Sequence, residues 1–289
     1  MAFYSIQEIL DCAQEKKRPL WEIIFEDDLQ DSGMKPEQSL EKMRVTYQAM
    51  KEAYGLYDPN RMSNSGLVGD DGARMEKAVE AGMTVSGDFM GQVMANALKM
   101  AEANACMRRI VAAPTAGSCG VIPAVFCTYE KHFNIEEDKM VEALYVAAGI
   151  GSVIASRAFV SGAAGGCQAE VGAASAMAAA GLTFLRGGSN EAAAHSAAMA
   201  LANLLGLVCD PVAGLVEVPC VKRNVIGAVN AITSSDMAMA GITSRIPPDE
   251  VIDAMREVGV SLPSKLRETG AGGLAATPTG MRIKKEIFG

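Results

Sequence analysis

Three cysteines stand beside helix breakers. Cys167 follows Gly165-Gly166, Cys209 precedes Asp210-Pro211, and Cys220 follows Pro219. A breaker next to a cysteine places the sulfur at an element end, where backbone amides are free to face a charged ligand. Three thiolates so placed suggest a metal centre with one position left open. Two other readings compete. Free cysteine is among the most buried residue types and packs as a small hydrophobe. Disulfides belong to secreted chains, and no signal-peptide pattern is present. The spacing is not the Cys-x-x-Cys of zinc ribbons or ferredoxins.

Three further stretches carry polar groups in places that suit a ligand. The turn 114–120, PTAGSCG, precedes an apolar helix and is built of small residues that let a ligand come close. It is not a phosphate loop of the Walker type, because no Gly-Lys-Ser/Thr follows. The stretch 57–74, YDPNRMSNSGLVGDDGAR, is turn-rich, and Ser63, Asn64, Ser65 and Gly66 offer hydroxyl and amide donors to a small carboxylate. Lys222, Arg223 and Asn224 follow Cys220 directly. Cations or amide donors there would offset the negative charge of a thiolate centre.

The segments APTAGSCGVIPAV (113–125), GGCQAEVGAASAMAAAG (165–181) and CDPVAGLVEVPCVKRNVIGAVNA (209–231) resemble the α chain of bacterial iron–sulfur-dependent L-serine dehydratase. The resemblance runs from about residue 43 to the closing EIFG. It implies a [4Fe–4S] cluster held by Cys167, Cys209 and Cys220, with one iron free of protein thiolate. It implies that Thr115, Ala116, Gly117 and Ser118 contact the substrate carboxylate, and that the reaction is conversion of L-serine to pyruvate and ammonia. Cys119 lies outside the family's triad and is read as a thiol in the pocket wall. The family's Ser-Ser-His-Thr motif, whose histidine is thought to serve in the active site, is absent here. In two-subunit members that motif belongs to a separate β chain. This chain also lacks the cysteine-bearing tail of single-chain members. The resemblance therefore implies an α subunit that needs a β partner to supply the catalytic base. The chain's own histidines, His132 and His195, lie in a polar stretch and on an alanine-rich helix. Two rival functions are a pyridoxal-phosphate serine deaminase, with Lys222 as the Schiff-base lysine, and a non-catalytic iron–sulfur scaffold.

These residues need elements to position them, and the composition says which kind. Hydrophobic residues make up 49% of the 289-residue chain and aromatics only 5%. Alanine, glycine and methionine supply the apolar content, which favours close-packed helices over sheets. The expected fold is mainly α. A single catalytic domain spans 1–289, with Ala/Gly-rich central helices and little or no sheet. Between residues 158 and 209 only Glu170, Arg186 and Glu191 are charged. Such a segment must be buried on nearly every side. Residues 1–55 read as amphipathic helix, with Ile6, Ile9 and Leu10 on one face and Trp21, Ile24, Phe25 and Leu29 on another. Residues 57–74 read as a loop, 107–112 as a short strand or helix start, and 270–280 as a glycine-rich loop before a charged tail. The Gly149-Ile150-Gly151 triplet lacks the third glycine of a dinucleotide fingerprint.

The net charge of −8 argues against a nucleic-acid partner. Uncharged runs such as 192–209 are alanine-rich and broken by His195, Ser196 and Asn203. They fall short of the about 20 strongly apolar residues that a membrane span needs. Seven cysteines without a secretory signal point to the cytoplasm.

Overall fold

The computed structural model describes residues 3–289. Among them helices and turns make up the fold, and the only strand-like pairing is one isolated bridge between Cys209 and Arg267. The mainly α expectation is met.

Three helices open the chain: α1 (Ile6–Lys16), α2 (Leu20–Ser32) and α3 (Pro36–Gly55). Ser5 caps α1 by accepting the Glu8 N–H, and Asp249 accepts the Ile6 and Gln7 N–H groups from far along the chain. Those carboxylate bonds satisfy donors that a helix start otherwise leaves open. On α2 the buried stripe is Leu20, Ile23 and Ile24. It is rotated slightly from the expected Trp21–Phe25 face, and those two aromatics are half-buried at its edge.

The 57–74 stretch is a loop only as far as Asp70, where α4 (Asp71–Glu80) begins. Its path is set by a carboxylate on the next helix, α5 (Gly87–Ala105). Glu102 is fully buried and accepts the N–H groups of Gly69, Asp71 and Gly72 at 2.9–3.0 Å. One side-chain group accepting three backbone N–H donors satisfies them all and fixes the path of the loop. Residues 107–112 form neither strand nor helix.

The core follows from small residues. After α6 (Val121–Phe133), α7 (Glu137–Arg157) and the single turn α8 (Gly162–Gly165) comes α9 (Ala173–Leu185), almost all of it buried. It packs against α6, α7, α10 (Asn190–Ala202) and α11 (Cys220–Met239). Only small side chains allow so many helices to approach one. At Gly181 an added Cβ would stand 2.4 Å from the Phe126 ring and 2.9 Å from the Ala143 carbonyl. By length and composition α7 could cross a bilayer, but 67% of its most apolar window is buried inside the protein. It is a core helix.

The chain closes with α12 (Pro248–Ser261) and α13 (Pro278–Phe288). The expected charged tail is in fact helical. Thr277 caps it by accepting the Gly280 N–H, and Pro278 sits at the first helical position, where its missing N–H costs nothing.

Candidate active site

The three segments that carry Cys167, Cys209 and Cys220 meet at one end of α9 and α11. Cys167 immediately precedes a π-turn, Gln168–Gly172, that feeds α9. Such turns are rare and recur at functional sites. Gly166 before it has φ +78°, and a Cβ there would meet the Leu207 carbonyl at 2.9 Å. Gln168 is fully buried and ties three segments together through four bonds. Its Nε2 donates to the Gly165 and Met255 carbonyls, its Oε1 accepts the Gly206 N–H, and its own N–H donates to Leu207 O. This fixes the strand-like run into Cys209 against Cys167. Cys209 is itself clamped by backbone bonds, its N–H to Leu266 O and its carbonyl from the Glu268 N–H. Cys220 is the first residue of α11.

Arg223, one turn further along α11, binds the group together. Its Nη1 donates to Val208 O and its Nη2 to Asp210 Oδ1, both at 2.7 Å, and its charge acts on the Cys167 thiol. Asp210 in turn accepts the Leu274 N–H. A guanidinium serves where one group must hold several acceptors in a fixed fork. Lys222, expected alongside it, does not join. Adjacent helix positions point about 100° apart. Lys222 is 66% exposed and pairs with Asp71 at 2.7 Å. That removes it both as support for a cluster and as a buried Schiff-base lysine.

The thiols feel one another. Burial raises Cys167 to about 11, opposed by Arg223. Burial raises Cys220 to about 12, with the charge of Cys167 adding to it. Cys209 is pushed up by burial first and then by Cys167, Glu170 and Cys220. All seven cysteines are free of disulfides. Among the described residues no three His, Cys, Asp or Glu side chains gather as a single ion requires. The triad is a set of neighbouring soft donors brought together from three segments. Soft thiol donors suit a soft or borderline metal, and a cationic centre would remove the penalty on thiolate formation.

The turn 114–120 lies on the same side. Asn224 fastens it to the start of α11: its Oδ1 accepts the Gly120 N–H, and its Nδ2 donates to the Gly117 and Cys220 carbonyls. Ser118 is fully buried, with its hydroxyl 3.2 Å from that of Thr115. Ala116 is exposed, and Thr115 and Gly117 are half-buried. Thr115 donates to Glu170 Oε1 at 2.8 Å. Glu170 Oε2 and Cys209 Sγ both stand 2.8 Å from where a Cβ on Gly162 would be. The carboxylate thus links the turn to the thiols. Burial raises its pKa, opposed by the Thr115 hydrogen bond.

Ser63 and Ser65 both donate to Glu217 Oε2, the first at 2.8 Å. Glu217 is buried, three residues before Cys220. The loop therefore reaches the Cys220 segment through Glu217. Asn64 and Gly66 are exposed. Cys119 is not a pocket-wall thiol. It is fully buried with its sulfur toward Met100 O. His132 packs among Phe89 and Phe133, and His195 lines a recess with Gln7, Leu10 and Arg245. Neither belongs to the thiol site. A cavity of about 590 Å³ opens elsewhere, beside Phe89, Tyr129, Arg186 and Asp236, and no thiol lines it.

The sequence reading did not assign Gln168, Asp210, Glu217 or Glu170 to the site. A signal existed for Glu170, a lone charge in an apolar run three residues after Cys167. The others owe their roles to partners distant in the chain.

Fold and site together define an all-helical protein whose polar centre is a thiol triad flanked by a carboxylate and a guanidinium. The chain belongs to the serine dehydratase α-chain family, whose model matches residues 15–275. It is 44% identical over 287 residues to "Probable L-serine dehydratase, alpha chain" of Bacillus subtilis (strain 168), covering 99% of this chain and 96% of that one. It is 40% identical over 285 residues to "L-serine dehydratase, alpha chain" of Peptoniphilus asaccharolyticus, covering 98% of each. The "L-serine dehydratase" of Haemophilus influenzae is 38% identical over 279 residues, which cover 94% of this chain and 61% of that longer one.

Proposed function

We propose that this chain is the α subunit of a two-subunit, iron–sulfur-dependent L-serine ammonia-lyase, converting L-serine to pyruvate and ammonia. The observation that carries the proposal is the meeting of Cys167, Cys209 and Cys220 from three separate segments, under the charge of Arg223. Family membership supplies the reaction.

Cys167, Cys209 and Cys220 would hold a [4Fe–4S] cluster. When bound, an iron free of protein thiolate supplies Lewis-acid help to the departure of hydroxide from the β-carbon. Arg223 offsets the negative charge of the three thiolates. The turn of Thr115, Ala116, Gly117 and Ser118 receives the substrate's charged head, held in register with Cys220 by Asn224. Loss of the α-proton and hydroxide leaves aminoacrylate. This tautomerises to an imine, and one water then releases ammonia and pyruvate.

The base for the α-proton is assigned to a partner. A base must come within hydrogen-bond reach of that proton, and His132 and His195 lie elsewhere. The relatives named "alpha chain", and a longer relative of which this chain covers 61%, support a separate β chain. Its docking is placed on the site's open side, beside exposed Asn64 and Gly66. Free thiols suit a reducing, cytoplasmic setting.

The test is anaerobic purification with and without a β chain, followed by iron and pyruvate assays. The proposal expects iron in the chain alone, and pyruvate only with the partner. Iron without pyruvate in either preparation would favour a scaffold.

A further inference from the structure

The expectation that the turn 114–120 binds a carboxylate meets a difficulty in Glu170. Thr115 already donates to Glu170 Oε1, and that oxygen lies 3.1 Å from where a Cβ on Gly117 would stand. A substrate carboxylate at Thr115 and Gly117 would meet a like charge at hydrogen-bond range. Among the described residues no Lys, Arg or His side chain forms an ion pair or a hydrogen bond with Glu170, whose side-chain donor is Thr115. Its neighbours are the Thr115 hydroxyl, the Gly162 backbone, the Cys209 thiol and a second acid, Glu268. Asp210, by contrast, has Arg223. A buried carboxylate without a cation is costly, and a ligand cation is the partner that this position lacks.

An α-amino acid carries such a cation on the same carbon as its carboxylate. We infer that Glu170 receives the substrate's α-ammonium and thereby makes the site select amino acids over hydroxy acids of the same length. The inference rests on the serine-eliminating role proposed above. With the ammonium on Glu170, the carboxylate turns toward Ser118 and the outer part of the turn. The β-carbon is left on the Cys209 side, because Cys209 Sγ and Glu170 Oε2 press on the same face of Gly162. Gly117 and Gly162 are glycines for this reason: a methyl at either would enter the space where carboxylate and ligand meet.

The experiment compares L-serine with 3-hydroxypropionate, which keeps the carboxylate and β-hydroxyl and lacks the ammonium. Binding is measured on the iron-verified holoenzyme both by steady-state inhibition and by calorimetry, so a variant without turnover still reports. The wild type should bind L-serine much more tightly than 3-hydroxypropionate. Glu170→Gln, which keeps shape and loses charge, should weaken L-serine about 10-fold or more without weakening 3-hydroxypropionate. Glu170→Asp should keep the preference. A Glu170→Gln enzyme with wild-type iron content and an unchanged preference would overturn the role of Glu170 alone. A wild type that neither binds nor converts L-serine would overturn the proposed function itself.

Discussion

Arg223 Nη2 meets Asp210 Oδ1 at 2.7 Å, with the two side chains 11% and 4% exposed. The pair joins the first turn of α11 to the segment after Cys209, and Leu274 N–H closes the carboxylate from the other side. Removing one partner strands a buried charge. Arg223→Ala should lower the unfolding free energy of the metal-free chain by about 3–5 kcal/mol. Arg223→Lys should recover only part, since an ammonium does not span Val208 O and Asp210 as a fork does. Urea unfolding measures both, and an unchanged midpoint in Arg223→Ala would contradict the role.

Cys167→Ser, Cys209→Ser and Cys220→Ser should each abolish iron retention after anaerobic reconstitution. Cys12→Ser and Cys127→Ser should retain it, because neither sulfur belongs to the triad. Full iron content in any one of the first three would sink the ligand assignment.

The thiols also predict a pH effect in the metal-free chain. An unfolded cysteine titrates near 9, and folding raises Cys167 to about 11 and Cys220 to about 12. A raised folded pKa gives stability that is present below the unfolded value and lost as pH rises toward the folded one. Melting temperature should therefore fall between about pH 9 and 12, and fall less steeply in the triple Cys→Ser variant. Parallel curves for the two proteins would show that the thiols do not titrate in this way.

How much of this was legible beforehand depends on the range of the interactions. The central helices announced themselves by the near absence of charge between 158 and 209, because burial on all sides forbids it. The cysteines were visible through their motifs and flanking breakers. Lys222 and Arg223 are neighbours of like charge, and only the rotation of the helix decides that one faces Asp71 and the other the thiols. Glu102 and Gln168 looked like ordinary polar residues. Their work is to satisfy backbone groups 30 or more residues away, which no local pattern encodes. The last helix was missed because its glycine-rich approach hid the Thr277-Pro278 start.

Asn224 holds the turn to α11 through two bonds, to Gly117 and Gly120, and a third bond to the Cys220 carbonyl steadies its side chain. Asn224→Ala leaves the buried Gly120 N–H without its partner, a cost of about 1–3 kcal/mol. It should also raise the KM for L-serine with iron retained. Ser118→Ala should raise KM by up to about 10-fold, equal to about 1.4 kcal/mol. If KM stays at the wild-type value in both variants, the turn is a structural cap only.

On the proposed function, elimination depends on iron held by this chain. The most direct measurement is anaerobic pyruvate formation from L-serine by the chain combined with its β partner, at graded iron loadings. The rate should rise with iron content and vanish when the chain is stripped by chelator. Full activity from iron-free protein would contradict it.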